Sequence, residues 1–229
     1  MTIFPINMQV VGQYRGLACL SHRQSDKFGH VSSDGAAVTA TDVRETPRNR
    51  RQEETFRKVL AAGIEMLRES SYADLTVRAV AKRAQVAPAT AYTYFSSKNH
   101  LIAEVYLDLI RAVPYFTDVN EPTVSRVDRA LRSLALVVAD EPEVAAACTT
   151  ALMAGDDATV RAARDRIGAE IHRRITSALG PDADPRTVAA LEMTFFGALV
   201  QAGSGVITYH QIADRLTFVV TLMLHQGDS

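Results

Sequence analysis

The chain has 229 residues, 47% of them hydrophobic, and a formal net charge of −1, which together exclude chain-wide disorder and allow one or two domains. Its two cysteines lack the spacing of a metal site or a disulfide framework, and no apolar run reaches the roughly 18 residues of a membrane span. Because no secretory signal is recognisable either, we expect a cytoplasmic protein with no metal, no cofactor and no membrane contact.

Residues 1–47 mix glycine, serine and threonine with scattered charge and show no sustained helical period. This composition predicts a poorly ordered N-terminal extension. An alternative is that the given start lies upstream of the real one.

After residue 47 the apolar residues recur at helical spacing. A first amphipathic helix is marked by Phe56, Leu60, Ile64 and Leu67. A short second helix is predicted to begin after Thr76, a good N-cap, and a third at Pro88, which suits a first helical turn. Ser96 or Ser97 is expected to cap a fourth helix that continues to Pro114.

Beyond Pro122 the same periodicity continues. It predicts five further helices, at roughly Ser125–Ala139, Pro142–Met153, Asp156–Leu179, Pro185–Val206 and Gln211–His225. Strand signals are weak throughout and there is no internal repeat. The sequence therefore predicts an all-α fold of about nine helices with short connections.

The segment from Thr76 to Lys98 has the spacing of a helix-turn-helix, whose second helix can lie in the major groove of DNA. The groove is about 12 Å wide, which favours small residues at the tip of that helix. Charge supports this prediction, because the residues from Arg48 to His100 include ten basic and five acidic side chains. This segment is +5 and the remainder of the chain is −6, an asymmetry expected when only one part meets phosphates.

These residues resemble the TetR family of transcription regulators. The resemblance is carried by the turn Ala84-Gln85-Val86, the helix Ala87-Pro88-Ala89-Thr90-Ala91-Tyr92-Thr93-Tyr94-Phe95 and the start Ser97-Lys98-Asn99 of the fourth helix. It covers roughly Arg48 to Leu107. It implies a helix-turn-helix DNA-binding domain at 48–96 and a helical ligand-binding and dimerisation domain at 97–229.

The chain departs from the family pattern at four positions. Gln85 stands where glycine is usual, so a positive φ there would cost more than in a glycine. Ala87 replaces a capping serine, which weakens the helix start by about 1 kcal/mol. Ala91 replaces a larger aliphatic residue, and Asn99 replaces the common acid after Lys98. None of these changes removes an expected phosphate contact.

The resemblance also implies roles for individual residues. The expected DNA-binding residues are Thr76, Ala89, Thr90, Tyr92, Thr93, Tyr94 and Lys98. Of these, Ala89, Thr90 and Thr93 are expected at base edges or the adjoining backbone, and the others at phosphates. Phe95 is expected to pack the DNA-reading helix onto the first helix near Phe56 and Leu60. An N-terminal arm that contacts DNA is a further possibility, but the zero formal charge of residues 1–47 argues against it.

In the second domain, the resemblance implies that the last two helices pair with their copies across a two-fold axis. The expected dimer contacts are Ala189, Ala190, Gly197, Ala198, Ala202, Gly203, Val219, Val220 and Met223. A pocket for a small apolar effector is expected among Tyr106, Leu109, Tyr115, Phe116, Leu134, Val138, Cys148, Leu152, Phe195 and Phe196. An acyl chain, a terpenoid or an aromatic drug would suit such a lining.

The function that follows is a sequence-specific transcription regulator, a repressor that a small effector releases from a palindromic operator. An enzyme is disfavoured because the six histidines are scattered and no phosphate loop or nucleophile motif is present. The alternative within the same fold is a helical ligand-binding or adaptor protein that does not bind an operator.

Overall fold

The structure is a computed structural model that describes residues 49–154 and 157–225. Within these residues it contains nine α-helices and no strand. The helices are α1 Arg50–Glu69, α2 Val77–Arg83, α3 Pro88–Tyr94, α4 Lys98–Ala112, α5 Thr123–Leu136, α6 Pro142–Met153, α7 Ala158–Leu179, α8 Pro185–Gly203 and α9 Tyr209–His225. The predicted all-α class is confirmed. The expected extension at residues 1–47 lies outside the described residues.

Side-chain caps explain where the first helices begin. Asn49 and Gln52 form a reciprocal capping box at the start of α1. The hydroxyls of Thr76 and Ser97 accept from the backbone N–H of Ala79 and His100, at 3.1 and 3.0 Å, and so begin α2 and α4. Helix α3 has no such bond, because Ala87 occupies its N-cap position.

Helices α1, α2 and α3 enclose a small apolar core. Phe95, at the end of α3, is fully buried and stacks on Phe56 of α1 with ring centroids 5.0 Å apart. Ala91 of α3 and Val80 of α2 are fully buried beside them. The short α3 is therefore held by its inner face, and its other face is left open. The expected packing of Phe95 against α1 is present.

Helix α4 is the most deeply embedded of the helices, and α7 fixes its far end. Arg174 of α7 is almost fully buried and donates to the backbone oxygens of Arg111 and Val113, at 3.0 and 2.8 Å. Glu170, one turn earlier, forms an ion pair with Arg174. The guanidinium thus satisfies carbonyls that the end of α4 leaves without helical partners.

A second buried ion pair joins the same two helices nearer the start of α4. Glu104 is buried and is contacted by Arg166 of α7 and, at 3.2 Å, by His100. Burial alone would raise the pKa of Glu104, but the hydrogen bonds from His100 and Arg166 outweigh it and the pKa is lowered. The carboxylate therefore stays ionised between the two helices at neutral pH.

Helix α8 ends at Gly203, three residues before the predicted Val206. Ser204 and Gly205 form a turn in which Gly205 has a φ of 75°, a conformation that glycine adopts without strain. Helix α5 begins at Thr123 and ends at Leu136, slightly earlier at both ends than predicted. Such shifts of a few residues are ordinary for helix ends fixed by tertiary packing.

Candidate nucleic-acid interface

Helix α3 presents a continuous exposed face made of short side chains. Ala89, Thr90 and Thr93 are exposed, whereas Ala91 and Phe95 on the opposite side are buried. Because the exposed side chains are small, the backbone of α3 can approach another surface closely. This is the geometry of a helix that enters a groove.

The two tyrosines of α3 differ in their surroundings. The side chain of Tyr92 is 50% exposed and stands beside the small residues of the tip. Tyr94 is half-buried, and its ring packs edge-on against Phe56 with centroids 6.1 Å apart. Tyr92 is thus the more accessible of the two expected phosphate ligands, while Tyr94 also has a packing role.

Lys98, at the start of α4, already has contacts inside the protein. Its ammonium group donates to the carbonyl oxygens of Tyr72 and Ala73, at 3.2 and 3.4 Å, and lies 4.4 Å from the centre of the Tyr72 ring. A lysine has three N–H donors, so one remains for a phosphate in this position. The same contacts tie the start of α4 to the loop before α2.

The hydroxyl groups of two threonines have defined roles. Thr76 Oγ1 accepts from Ala79 N, which leaves its hydrogen free to be donated to a phosphate. Thr93 Oγ1 donates to the backbone oxygen of Thr90 at 2.7 Å. In this rotamer Thr93 presents its methyl group and oxygen lone pairs, which suit a thymine methyl or a base amino group better than a phosphate.

A surface cleft of about 550 Å³ lies beside the tip of α3, between α1 and the turn after α2. Thr55 and Lys58 of α1 line it together with Thr90 and Gln85. Sequence reasoning did not single out Lys58 or Thr55, although they lie one helical turn apart in a basic segment. Their position next to Thr90 makes them candidates for a phosphate that runs alongside α3.

The three cations of α2 differ in their surroundings. Arg83 is paired with Glu69 at 2.5 Å and with Glu65 at 3.3 Å, and these bonds raise its pKa further above its usual value. Arg78 and Lys82 are exposed on α2. Arg83 therefore has a structural role, whereas Arg78 and Lys82 are accessible to the phosphates of a DNA backbone.

The residues expected to line an effector pocket fall into three groups. Five of them are buried in the core of the α4–α9 region, namely Tyr106, Leu134, Val138, Cys148 and Phe195, and Leu152 is partly buried against that core. Leu109 and Phe116 are also partly buried against this core. Burial raises the pKa of the Cys148 thiol to about 12, so this cysteine is an apolar side chain at neutral pH.

Two of the expected pocket residues are misplaced. Phe196 is exposed, because it follows the buried Phe195 by one position and so points about 100° away around α8. Tyr115 is 47% exposed in the loop after α4, where its hydroxyl lies 3.2 Å from Glu170. Phe196 therefore belongs to the outer surface of α8, and Tyr115 to the polar cluster around Arg174.

The outer faces of α8 and α9 carry large exposed apolar side chains. On α8 these are Met193, Phe196 and Val200, and on α9 they are Phe218 and Leu222. Ala189 and Gly197 share the exposed side of α8, and Ala190 of α8 and Val219 of α9 are partly exposed. We refer to this set of nine residues as the α8–α9 apolar face. Such a face is typical of a protein–protein contact.

Some of the expected dimer contacts need correction, because they face the interior of the same chain. Ala202 and Val220 are buried in the core. Gly203 lies against Thr149 of α6, where an added Cβ would stand 2.6 Å from both side-chain branches. Ala198 and Met223 also pack against the core. These five positions do not belong to the α8–α9 apolar face.

Two features are absent from residues 49–154 and 157–225. None of the helices in these ranges combines the length and the continuous apolar surface that a membrane-spanning segment needs. No group of three or more His, Cys, Asp or Glu side chains in these ranges could hold a metal ion.

The all-α fold and the exposed face of α3 define a helix-turn-helix protein. The family model of bacterial regulatory proteins of the tetR family matches residues 59–105. An uncharacterised HTH-type transcriptional regulator of Mycobacterium tuberculosis is 69% identical over 201 residues, which are 85% of this chain and 94% of the relative. The HTH-type transcriptional repressor KstR of Rhodococcus jostii is 27% identical over 183 residues, 77% of this chain and 85% of KstR.

Solved structures share the fold. A TetR transcriptional regulator from Rhodococcus sp. RHA1 superposes with a TM-score of 0.62 at 24% identity, covering 75% of this chain and 98% of the other. FadR of Thermus thermophilus, a repressor in complex with lauroyl-CoA, gives a TM-score of 0.55 at 18% identity, covering 72% and 92%. The chain belongs to the TetR family of transcriptional regulators.

Proposed function

We propose that this chain is a repressor that binds a palindromic operator as a homodimer and leaves it when an apolar effector enters the α4–α9 region. The observation that carries this proposal is the two-sided character of α3. Its inner residues Ala91 and Phe95 are buried, whereas the small residues and Tyr92 on its outer side are exposed. A helix of this kind can place its tip in the major groove while Tyr92 reaches a phosphate.

A dimer is part of the proposal because one seven-residue helix covers too few bases to define a site. The α8–α9 apolar face offers a surface for the second copy, and it lies outside the core of the single chain. Two copies related by a two-fold axis would present two α3 helices to half-sites about one turn of DNA apart. The palindrome follows from this symmetry.

For the effector we propose an acyl chain, carried as an acyl thioester. Two solved proteins with this fold are acyl-CoA complexes: the repressor FadR of Thermus thermophilus with lauroyl-CoA, and the transcriptional regulator FadR of Bacillus subtilis with stearoyl-CoA. Tyr106 of α4 and Cys148 of α6 are buried in the core, where their largely apolar side chains would contact such a chain. Lauroyl-CoA should raise the melting temperature and release bound DNA, whereas coenzyme A alone should do neither. Equal effects of the two compounds would contradict this choice of effector.

The test of operator binding is a mobility shift with the intergenic duplex upstream of the gene, at two salt concentrations. A regulator that contacts several phosphates loses affinity steeply as salt rises. Tyr92→Phe keeps the ring but removes the phosphate donor, which should weaken binding about tenfold, or roughly 1.4 kcal/mol, on any sequence.

Tyr115→Phe is the matched control, because Tyr115 has nearly the same exposure as Tyr92 but lies after α4. It should leave the affinity unchanged. An adaptor on the same fold would give no shift with any variant. An effect of Tyr92→Phe that is confined to particular bases would contradict its role at the DNA backbone.

A further inference from the structure

The connection between α3 and α4 is hydrogen-bonded to the first turn of α7. Ser97 Oγ, which caps α4 by accepting from His100 N, also donates to Asp157 Oδ2 at 2.8 Å. Asp157 is itself the N-cap of α7, since its Oδ1 accepts from Thr159 N at 2.9 Å and from Val160 N at 3.4 Å. One carboxylate therefore serves the starts of two helices with its two oxygens.

A second path joins the same elements. Thr159 Oγ1 donates to Asp157 Oδ1 at 2.6 Å, and a carboxylate can only accept. Because this bond uses the one hydroxyl hydrogen of Thr159, Ser96 must be the donor in the 2.9 Å contact between Ser96 Oγ and Thr159 Oγ1. Ser97 thus donates directly to Asp157. Ser96 donates to Thr159, which in turn donates to Asp157.

The charge of Asp157 strengthens this arrangement. The hydrogen bonds from Thr159, and next those from Ser97, lower the pKa of the carboxyl group to about 2. Asp157 is therefore ionised at neutral pH, and bonds from hydroxyls to an ionised carboxylate are stronger than bonds between neutral groups.

We propose that Asp157 is a positioning residue for DNA binding, which fixes the α3–α4 connection, and through it the DNA-reading helix, from the start of α7. Helix α3 is only seven residues long and is followed at once by Phe95, Ser96 and Ser97. Its orientation therefore depends on the buried Phe95 and on the two serines held by α7. This inference rests on the proposed operator binding.

Asp157→Ser is the decisive variant. Serine is as good an N-cap as aspartate, so α7 keeps its start, but one short hydroxyl cannot also hold Ser97. Asp184→Ser is the matched control, because Asp184 caps α8 by accepting from Arg186 N and Thr187 N, and among the described residues it bonds to no other helix.

Hydrogen exchange gives a measurement that needs no DNA. In Asp157→Ser, amides at residues 91–101 should exchange at least several-fold faster than in the wild type, while amides within α7 keep their rates. Asp184→Ser should leave residues 91–101 unchanged. Unchanged exchange at residues 91–101 in Asp157→Ser would overturn the proposal.

The second measurement is affinity for the upstream duplex. Asp157→Ser should weaken binding about tenfold. Ser97→Ala should weaken binding less when it is made in Asp157→Ser than when it is made in the wild type. Ser97→Thr keeps the hydroxyl and should restore the affinity lost in Ser97→Ala. If the wild type binds and Asp157→Ser binds equally well, this inference alone fails. If the wild type does not bind, the proposed function fails, and the role of Asp157 in DNA binding fails with it.

Discussion

The turn between α2 and α3 depends on Gln85, whose φ is 56°. In this left-handed region a Cβ atom crowds the following carbonyl oxygen, at a cost of about 1–2 kcal/mol for ordinary residues. The turn nevertheless forms, because Val86 N donates to Ala81 O at 2.9 Å and Val86 packs against the core. Gln85 is the one non-glycine residue with positive φ in the described part of the chain.

We expect Gln85→Gly to raise the free energy of unfolding by roughly 1 kcal/mol, because glycine adopts this conformation without strain. Ala84→Gly is the neighbouring control. Ala84 has a φ of −70°, so glycine relieves nothing there and should lower stability by about 0.5–1 kcal/mol. Urea unfolding measures both variants. A loss of stability in Gln85→Gly would show that the glutamine side chain contributes more than its backbone costs.

Much of the DNA-reading segment could be predicted from single residues. Thr76 and Ser97 act as caps through bonds to N–H groups three positions away, so the local sequence is enough to place them. The bond from Thr93 to Thr90 O, and the contacts of Lys98 with Tyr72, depend on rotamers and on a loop 26 positions away. Those details could not be predicted because spacing carries no information about them.

At the scale of elements, the attachment of α4 to α7 depends on buried charge. We expect Glu170→Ala to destabilise the protein by about 3–5 kcal/mol, because it leaves the buried Arg174 without its counter-ion. Glu69→Ala removes an exposed partner of Arg83, where solvent screens the interaction, and should cost far less. Chemical unfolding compares them. Equal losses would mean that the Arg174 guanidinium is satisfied by the carbonyls of α4 alone.

The contact of α8 with α6 leads to another prediction. A Cβ at Gly203 would lie 2.6 Å from both branches of Thr149, and rotating that side chain leaves a heavy atom at one of these two positions in every rotamer. Gly203→Ala should therefore lower stability by roughly 1–3 kcal/mol.

The control is Gly197→Ala, in the same helix. Nothing in the chain lies within 4 Å of a Cβ at Gly197, so a single protomer should gain about 0.5–1 kcal/mol. Thermal unfolding at low protein concentration separates the two variants. If both variants lost stability, the clash with Thr149 would not be the reason why Gly203→Ala is destabilising.

At the scale of the whole molecule, the sequence predicted the number and order of helices better than their orientation. The helix starts are marked by local caps, whereas the choice of which side of α8 faces inward depends on α6 and α9. Small residues occur on both sides of α8, so size alone does not distinguish Ala202 and Gly203, which pack inward, from the exposed Gly197. The large residues show the orientation of α8: Met193 and Val200 are exposed on one side. Leu191 and Phe195 are buried on the other.

The α8–α9 apolar face predicts how the assembly can be disrupted. Phe218 is 69% exposed in the single chain, so Phe218→Glu should leave the protomer folded and place two like charges in the contact between copies. Sedimentation should then show a monomer, and circular dichroism should show the helical content of the wild type. Operator affinity should fall at least a hundredfold because the two α3 helices are no longer linked.

Val119→Glu, at a position 86% exposed before α5, is the control and should change neither the assembly nor the affinity. A dimer that survives Phe218→Glu with full operator affinity would mean that the copies meet through another surface, and that the apolar side chains of α8 and α9 serve a different partner.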